Sequence, residues 1–143
     1  MLTFNTLNLR TWSKLGQRGA FFCVAIFEVV DQYKNTMVLT ADLATLSGLD
    51  RFTNIYPEKF LNIGIAEQNM LGISAGLAQE GKIVFATTYA TFISMRSCEQ
   101  LRHYLGYMKS NVKVVGTGAG LVMAFSGNTH YSCLLYTSDA ADE

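Results

Sequence analysis

The sequence alternates short runs of apolar and β-branched residues with longer segments of helical periodicity. Strands are predicted at 37–41, 60–63, 83–87 and 112–116, and helices at 19–32, 67–80 and 97–107. Apolar strands that alternate with helices are typical of a sheet buried on both faces. The pattern therefore predicts an α/β fold in which a parallel sheet is flanked by helices on both faces.

Ligands of such sheets bind beyond the carboxyl ends of the strands. Asp42, Tyr89 and Gly118 fall at or just after predicted strand ends, and so does the segment 64–67. Polar side chains at these positions are the first candidates for a binding site.

The composition narrows the class of partner. Half of the 143 residues are hydrophobic, and 11 basic residues balance 11 acidic ones without forming a block of either sign. This favours one globular domain that binds small molecules or protein and not nucleic acid. The cysteines, Cys23, Cys98 and Cys133, are widely spaced and form no CxxC pair, so neither a disulfide framework nor a metal site is expected.

The apolar segment 20–30 superficially resembles the core of a signal peptide. It contains Glu28, lacks a small-residue cleavage site and is too short to span a bilayer. We therefore expect a cytoplasmic protein without a membrane partner.

Glu67 interrupts an otherwise apolar stretch, FLNIGIAEQNMLGISAGLA. Residues 67, 71, 74 and 78 share one helical face, which directs Glu67 toward packed surface. A poorly solvated carboxylate needs a hydrogen-bond partner or a proton. Spacing alone leaves open a functional acid, a structural ion pair and a carboxylate placed at the positive end of the helix dipole.

The motif GIAEQNMLGISAGLA, with ADL before it and TTYATF and GNTH after it, resembles the pyrimidine-binding domain of transketolase-type, thiamine-diphosphate-dependent enzymes. The resemblance extends over about residues 18–130. It implies that Glu67 hydrogen-bonds a ring nitrogen of the cofactor's aminopyrimidine and thereby activates the thiazolium carbon.

The same resemblance implies roles for four other residues. Tyr89 and Phe92 match aromatic residues that flank the pyrimidine ring, and Asp42 matches an aspartate near the cofactor. His130 matches a histidine that contacts the hydroxyl groups of the substrate. Without the resemblance, these residues would be interpreted as core aromatics, a turn aspartate and a solvated loop histidine.

Two positions depart from the family pattern. Gly118 stands where transketolases usually carry a phosphate-contacting histidine, and Ser126 replaces an acidic residue that contacts a donor hydroxyl. We expect transfer of a two-carbon ketol unit between sugars, with phosphorylated sugars as the leading class, but not necessarily the usual pentose phosphates.

No segment resembles the GDG-to-Asn signature that binds Mg²⁺ or Ca²⁺ and the diphosphate in the other domain of these enzymes. The chain is therefore expected to be the C-terminal subunit of a split transketolase, inactive alone. Its expected partner is a diphosphate-binding subunit, in a homo- or hetero-oligomer.

The last eleven residues, CLLYTSDAADE, look like the translation of a transposase adapter used in sequencing libraries. We expect residues 1–132 to form the pyrimidine-binding domain, incomplete at its C-terminus, and residues 133–143 not to be native.

Three other interpretations are weighed against this one. A deoxyxylulose-phosphate synthase would share the fold and the glutamate, but it normally has histidine where this chain has Asn69. A non-catalytic interaction module could retain the fold without the reaction. A nucleotide-binding domain would need a helix after the glycine-rich stretch at 116–120, where no helix is predicted.

Overall fold

The structure is a computed structural model that describes residues 21–132. Its strands are β1 (Thr36–Thr40), β2 (Phe60–Asn62), β3 (Ile83–Tyr89) and β4 (Val112–Thr117). Its α-helices are α1 (Ile26–Gln32), α2 (Asp50–Ile55), α3 (Glu67–Gln79) and α4 (Cys98–Gln100). The π-helical segments Phe21–Ala25, Phe92–Arg96 and Leu101–Tyr107 and the 3₁₀ turns Pro57–Lys59 and Ala124–Thr129 complete these elements.

All four strands are parallel and lie in the order β2-β1-β3-β4. Thr40, the last residue of β1, pairs with Asn62 of β2 and with Thr87 of β3. Because parallel strands end at a common edge, the segments that follow β1, β2 and β3 come together there. The predicted parallel α/β fold is confirmed.

The two faces of the sheet bury separate sets of side chains. On one face, Leu39 and Val84 belong to a core that includes Leu71 of α3. On the other face, Val38 packs in a core with Phe52 of α2 and with Ile26 and Val30 of α1. Adjacent residues of β1 thus enter opposite cores, as the two-residue period of a strand requires. Helices cover both faces.

Three details differ from the sequence-based prediction. No strand or helix was predicted for the segment 42–54, but it contains the start of α2, whose Phe52 is fully buried. β3 continues to Tyr89, and the Phe92–Arg96 turn follows almost at once. Both helical pieces are too short to show a helical period, and burial of a few side chains stabilises them. Residues 19–20 of the first predicted helix lie outside the described residues.

Gly116 of β4 lies against the chain that leaves β3. A Cβ atom at Gly116 would come 2.9 Å from the Cα of Ala90. We expect Gly116→Ala to lower the free energy of unfolding by about 1–3 kcal/mol, because backbone must move to relieve the overlap. The midpoint of urea unfolding, at an unchanged m value, measures the loss.

Gly76→Ala is the matched control for that substitution. Apart from its chain neighbours and the backbone of its own helix, no described heavy atom lies within 4 Å of a Cβ built at Gly76, toward the C-terminal half of α3. The added methyl is expected to stabilise the chain by about 0.5–1 kcal/mol, because alanine favours the helix. A similar loss of stability in both variants would contradict the close approach at Gly116.

Within residues 21–132, no helix is long and apolar enough to cross a membrane, and no three His, Cys, Asp or Glu side chains are grouped to hold a metal ion. Cys23 donates a hydrogen bond from Sγ to the carbonyl oxygen of Gly48, 3.0 Å away. Burial is the main cause that raises the pKa of this thiol. Cys23 therefore has the character of a packed, unreactive cysteine.

Candidate functional site

An open pocket of about 260 Å³ lies at the carboxyl edge of the sheet. It is formed by the residues after β1, the loop between β2 and α3, and the end of β3. The lining residues are Ala41, Asp42, Leu43, Ile65, Glu67, Thr88, Tyr89 and Phe92. All four residues that the sequence analysis assigned to cofactor binding thus line one pocket. The pocket lies just below the usual size of a complete ligand cavity, roughly 300–1,000 Å³.

Glu67 begins α3 and turns its carboxylate inward. The side chain is only 2% exposed, and Leu71 and Ser74 on the same helical face are buried as well. Its Oε2 atom accepts a hydrogen bond from Nη1 of Arg96 at 2.8 Å. Glu67 is therefore both a member of an ion pair and a wall of the pocket. The structural ion pair left open by spacing is present, and the role of Glu67 as a functional acid stays a prediction.

Arg96 joins the acid to the aromatic wall. Its guanidinium lies 4.2 Å from the centroid of the Phe92 ring, within the range of a cation–π contact. The carbonyl of Arg96 also accepts a hydrogen bond from Nε2 of Gln68 at 2.9 Å. Sequence reasoning missed Arg96. The only available signal was its place four residues after Phe92, which is visible only if a helical turn is predicted there.

Tyr89, Phe92 and His130 form a cluster of rings. The ring centroids of Tyr89 and Phe92 lie 5.8 Å apart, and the His130 ring lies 5.5 Å from Tyr89 and 5.2 Å from Phe92, all in edge-to-face contact. Nδ1 of His130 is 2.8 Å from Oγ1 of Thr129. The structure thus brings the predicted substrate-contacting histidine beside the two predicted cofactor-flanking rings.

Asp42 follows β1 in an unusual backbone conformation. Its φ angle is +59°, in the left-handed region that few residues other than glycine adopt. Asn62, at the end of β2, holds it: Asn62 Nδ2 donates to Asp42 Oδ1 at 3.1 Å, and Asn62 Oδ1 accepts from the Asp42 N–H at 3.0 Å. Aspartate tolerates this conformation better than most residues.

Of the two positions that depart from the family pattern, Gly118 lies beside the ring cluster. A Cβ atom at Gly118, whose φ is +68°, would lie 3.4 Å from Cδ1 of Tyr89 and 3.2 Å from Cγ of Met123. Ser126 lies in the 3₁₀ turn before His130, and its carbonyl accepts a hydrogen bond from Oγ1 of Thr129. A side chain at Gly118 would crowd the tyrosine ring.

The pocket suits a flat, hydrogen-bonding heterocycle. Tyr89 and Phe92 supply aromatic surface, and Glu67 supplies a carboxylate shielded from water. Oγ1 of Thr88, another lining residue, is buried and has no hydrogen-bond partner within residues 21–132. A buried polar atom without a partner is uncommon in a folded protein. These features are compatible with an aromatic ring that carries polar substituents.

Comparison with known proteins identifies the family to which this chain belongs. A model of the protein family described as "Transketolase, pyrimidine binding domain" matches residues 20–138, which is most of the chain. The protein belongs to this family.

Two relatives illustrate the similarity. The chain is 44% identical over 108 residues to a putative transketolase C-terminal section of Methanocaldococcus jannaschii, covering 76% of this chain and 34% of that protein. It is 36% identical over 107 residues to the 6-deoxy-6-sulfo-D-fructose transketolase subunit SqwH of Clostridium sp. strain MSTE9. This match covers 75% of this chain and 33% of that protein. The chain thus spans about a third of the length of these relatives.

A solved structure described as a split gene transketolase, inactive β4 tetramer, is similar in both sequence and fold. The identity is 40% and the TM-score 0.63, over 75% of this chain and 33% of that chain. The resemblance to a pyrimidine-binding domain of the split-gene type is therefore confirmed.

Proposed function

We propose that this chain supplies the pyrimidine-binding half of a thiamine-diphosphate-dependent transketolase, which transfers a two-carbon ketol unit between sugars. The observation that carries the proposal is Glu67, which faces the pocket while being 2% exposed. Membership of the transketolase pyrimidine-binding family supports it.

Glu67 is suited to hold a proton against the pyrimidine ring. Arg96 donates a hydrogen bond to its Oε2 atom, and we assign the other carboxylate oxygen, Oε1, to a ring nitrogen of the cofactor. The surrounding apolar residues of α3 and β3 exclude water, and this strengthens the hydrogen bond. When bound, thiamine diphosphate would supply the nucleophilic carbon that ketol transfer requires, and Glu67 would share a proton with a ring nitrogen of its pyrimidine.

The other pocket residues bind and orient. Tyr89 and Phe92 are proposed to contact the faces or edge of the pyrimidine ring, and Asp42 to lie beside the cofactor at the end of β1. His130, which is half-buried against both rings, is proposed to hydrogen-bond hydroxyl groups of the sugar. These roles come from the family resemblance and agree with the arrangement of the side chains.

The proposed assembly contains a second, diphosphate-binding subunit, which holds the diphosphate through Mg²⁺ or Ca²⁺. An open pocket slightly smaller than a complete ligand cavity supports a site shared between subunits. The names of the relatives, a C-terminal section and a subunit, support a split enzyme. We propose that residues 1–132 form this domain; residues 133–143, assigned above to adapter sequence, lie outside the described residues.

The sugar is proposed to differ from the usual pentose phosphates. Gly118, beside the Tyr89 ring, and Ser126, in the turn before His130, lack the side chains that would contact a phosphate and a donor hydroxyl in the family pattern. A relative named for a sulfosugar supports variation at this half of the site. A role in the pentose phosphate pathway and a cytoplasmic location stay predictions.

The experiment that tests the function uses the chain assembled with its diphosphate-binding subunit. Binding of thiamine diphosphate is measured by titration calorimetry in the presence of Mg²⁺, and ketol transfer is assayed with phosphorylated, sulfonated and unmodified ketoses. Saturable binding with transfer from at least one ketose is expected. Binding of the partner subunit without any binding of thiamine diphosphate would favour a non-catalytic interaction module instead.

Phe92→Ala is expected to weaken thiamine diphosphate binding by about tenfold, because it removes a wall of the pocket and the surface that carries Arg96. The dissociation constant of the assembled enzyme measures the effect. Tyr107→Ala is the control, since Tyr107 is an 81% exposed aromatic residue whose described ring contact is with His103, away from the pocket. Equal affinities in the two variants would contradict the assignment of Phe92.

A further inference from the structure

Asn62 makes three hydrogen bonds that join the loops on either side of the pocket. Its Oδ1 accepts from the backbone N–H of Asp42 and from that of Gly64, each at 3.0 Å. Its Nδ2 donates to Oδ1 of Asp42 at 3.1 Å. Asp42 belongs to the segment after β1, and Gly64 belongs to the loop that leads into α3.

The orientation of the Asn62 amide follows from its partners. Backbone N–H groups only donate, so the two that meet Asn62 require its oxygen. The Asp42 carboxylate only accepts, so it requires the amide nitrogen. All three contacts are therefore satisfied by one orientation. Neither leucine nor alanine could make any of these contacts, and aspartate could make only the two to backbone N–H groups.

The segments that Asn62 joins both contain left-handed backbone. Asp42 has a φ of +59° and Gly64 a φ of +76°. Non-glycine residues adopt this region only where surrounding contacts compensate for the strain. Asp42 and Asn62 are both exposed to solvent, and Asn62 lies at the end of β2, an edge strand. Its side chain therefore contributes little to the core, and the hydrogen bonds it makes are all to these two segments.

We propose that Asn62 is a positioning residue for the cofactor half-site. It fixes the direction of the Asp42 side chain and the path of the Gly64 turn, from which α3 starts with Glu67 three residues later. One side chain thus sets the relative position of two pocket residues that come from different strands. This inference rests on the proposed function for its ligand, but the geometry that it describes is independent of the ligand.

The test exchanges the side chains of Asn62 and Asp42, so that asparagine stands at position 42 and aspartate at position 62. Asn62→Asp keeps an oxygen for both backbone N–H groups but turns a second carboxylate toward Asp42 with no proton donor between them. Adding Asp42→Asn restores a donor, now on residue 42, to the same contact. Asn62→Ala removes all three bonds. Asn54→Ala is the matched control, since Asn54 is an exposed asparagine of α2 outside the pocket.

Two quantities are measured on the assembled enzyme: residue-resolved hydrogen exchange of the Asp42 and Gly64 amides without cofactor, and the dissociation constant for thiamine diphosphate. Asn62→Ala is expected to accelerate exchange of both amides and to weaken binding, each by about tenfold. Asn62→Asp is expected to weaken binding similarly and, because its carboxylate and that of Asp42 repel each other, to accelerate exchange of both amides as well. In the swapped pair, slow exchange is expected to return.

Slow exchange in the swapped pair supports the inference whether or not affinity returns, because the carboxylate of Asp42 has itself been removed. In a wild-type assembly that binds thiamine diphosphate, either unchanged exchange or unchanged affinity in Asn62→Ala would overturn it. Failure of the proposed function has a different signature, which is the absence of thiamine diphosphate binding in the wild-type assembly. The hydrogen-exchange measurement tests the positioning role in that case also.

Discussion

Glu67→Gln in the assembled enzyme is expected to slow hydrogen–deuterium exchange at the reactive thiazolium carbon of bound thiamine diphosphate by about 10²–10⁴-fold. Glutamine has the same shape and can still bind at the pyrimidine, but it cannot hold or release the proton that a carboxyl group shares with the ring nitrogen. Binding is therefore expected to persist while activation is lost. Exchange followed by NMR after rapid acid quenching measures the rate.

Glu80→Gln is the control for this substitution. Glu80 is an exposed residue at the other end of the same helix, where it caps α3 just before the left-handed Gly81. Its replacement removes an equal charge and is expected to leave the exchange rate unchanged. Exchange in Glu67→Gln as fast as in Glu80→Gln, with cofactor bound, would show that Glu67 is a structural residue only.

Arg96→Met is expected to lower the free energy of unfolding by about 1–3 kcal/mol, because it leaves the buried Glu67 carboxylate without its partner. Loss of one member of a fully buried ion pair costs more, about 3–5 kcal/mol, but the Arg96 side chain is 46% exposed and water can replace part of the contact. Urea unfolding of the full chain measures the change.

A second substitution separates the ion pair from other effects of the arginine. Combining Arg96→Met with Glu67→Gln removes the charge that was left unpaired, so part of the lost stability is expected to return. Arg102→Met is the control, since Arg102 forms a solvent-exposed pair with Glu99 at 3.8 Å and is expected to change stability by less than about 1 kcal/mol. Equal losses in Arg96→Met and Arg102→Met would contradict the importance of the buried carboxylate.

The sequence was sufficient to predict the sheet and the edge where the pocket lies. Strands buried on both faces require continuous apolar runs, and such runs are visible without a structure, as at 37–41 and 83–87. Once the strands are placed, the carboxyl edge brings Asp42, Glu67 and Tyr89 together, and the structure has all three in one pocket. The burial of Glu67 also followed from the helical period, and the structure confirms it.

The contacts that hold the pocket residues in place could not be predicted from local pattern. Arg96 is 29 positions from Glu67, and Asn62 is 20 positions from Asp42, so neither pair has a recognisable sequence spacing. Both depend on the register of the strands and on short turns whose existence is determined by tertiary packing. The turn Phe92–Arg96 is the clearest case, because its five residues carry no helical period of their own.

The most direct measurement compares thiazolium proton exchange in free thiamine diphosphate with that in the wild-type assembly of this chain and its diphosphate-binding subunit. If Glu67 activates the cofactor, exchange in the assembly is faster than in free solution by orders of magnitude, with Mg²⁺ present and binding verified by titration. Exchange at the rate of the free cofactor, with binding demonstrated, would contradict the catalytic function and favour an interaction module that has retained the fold.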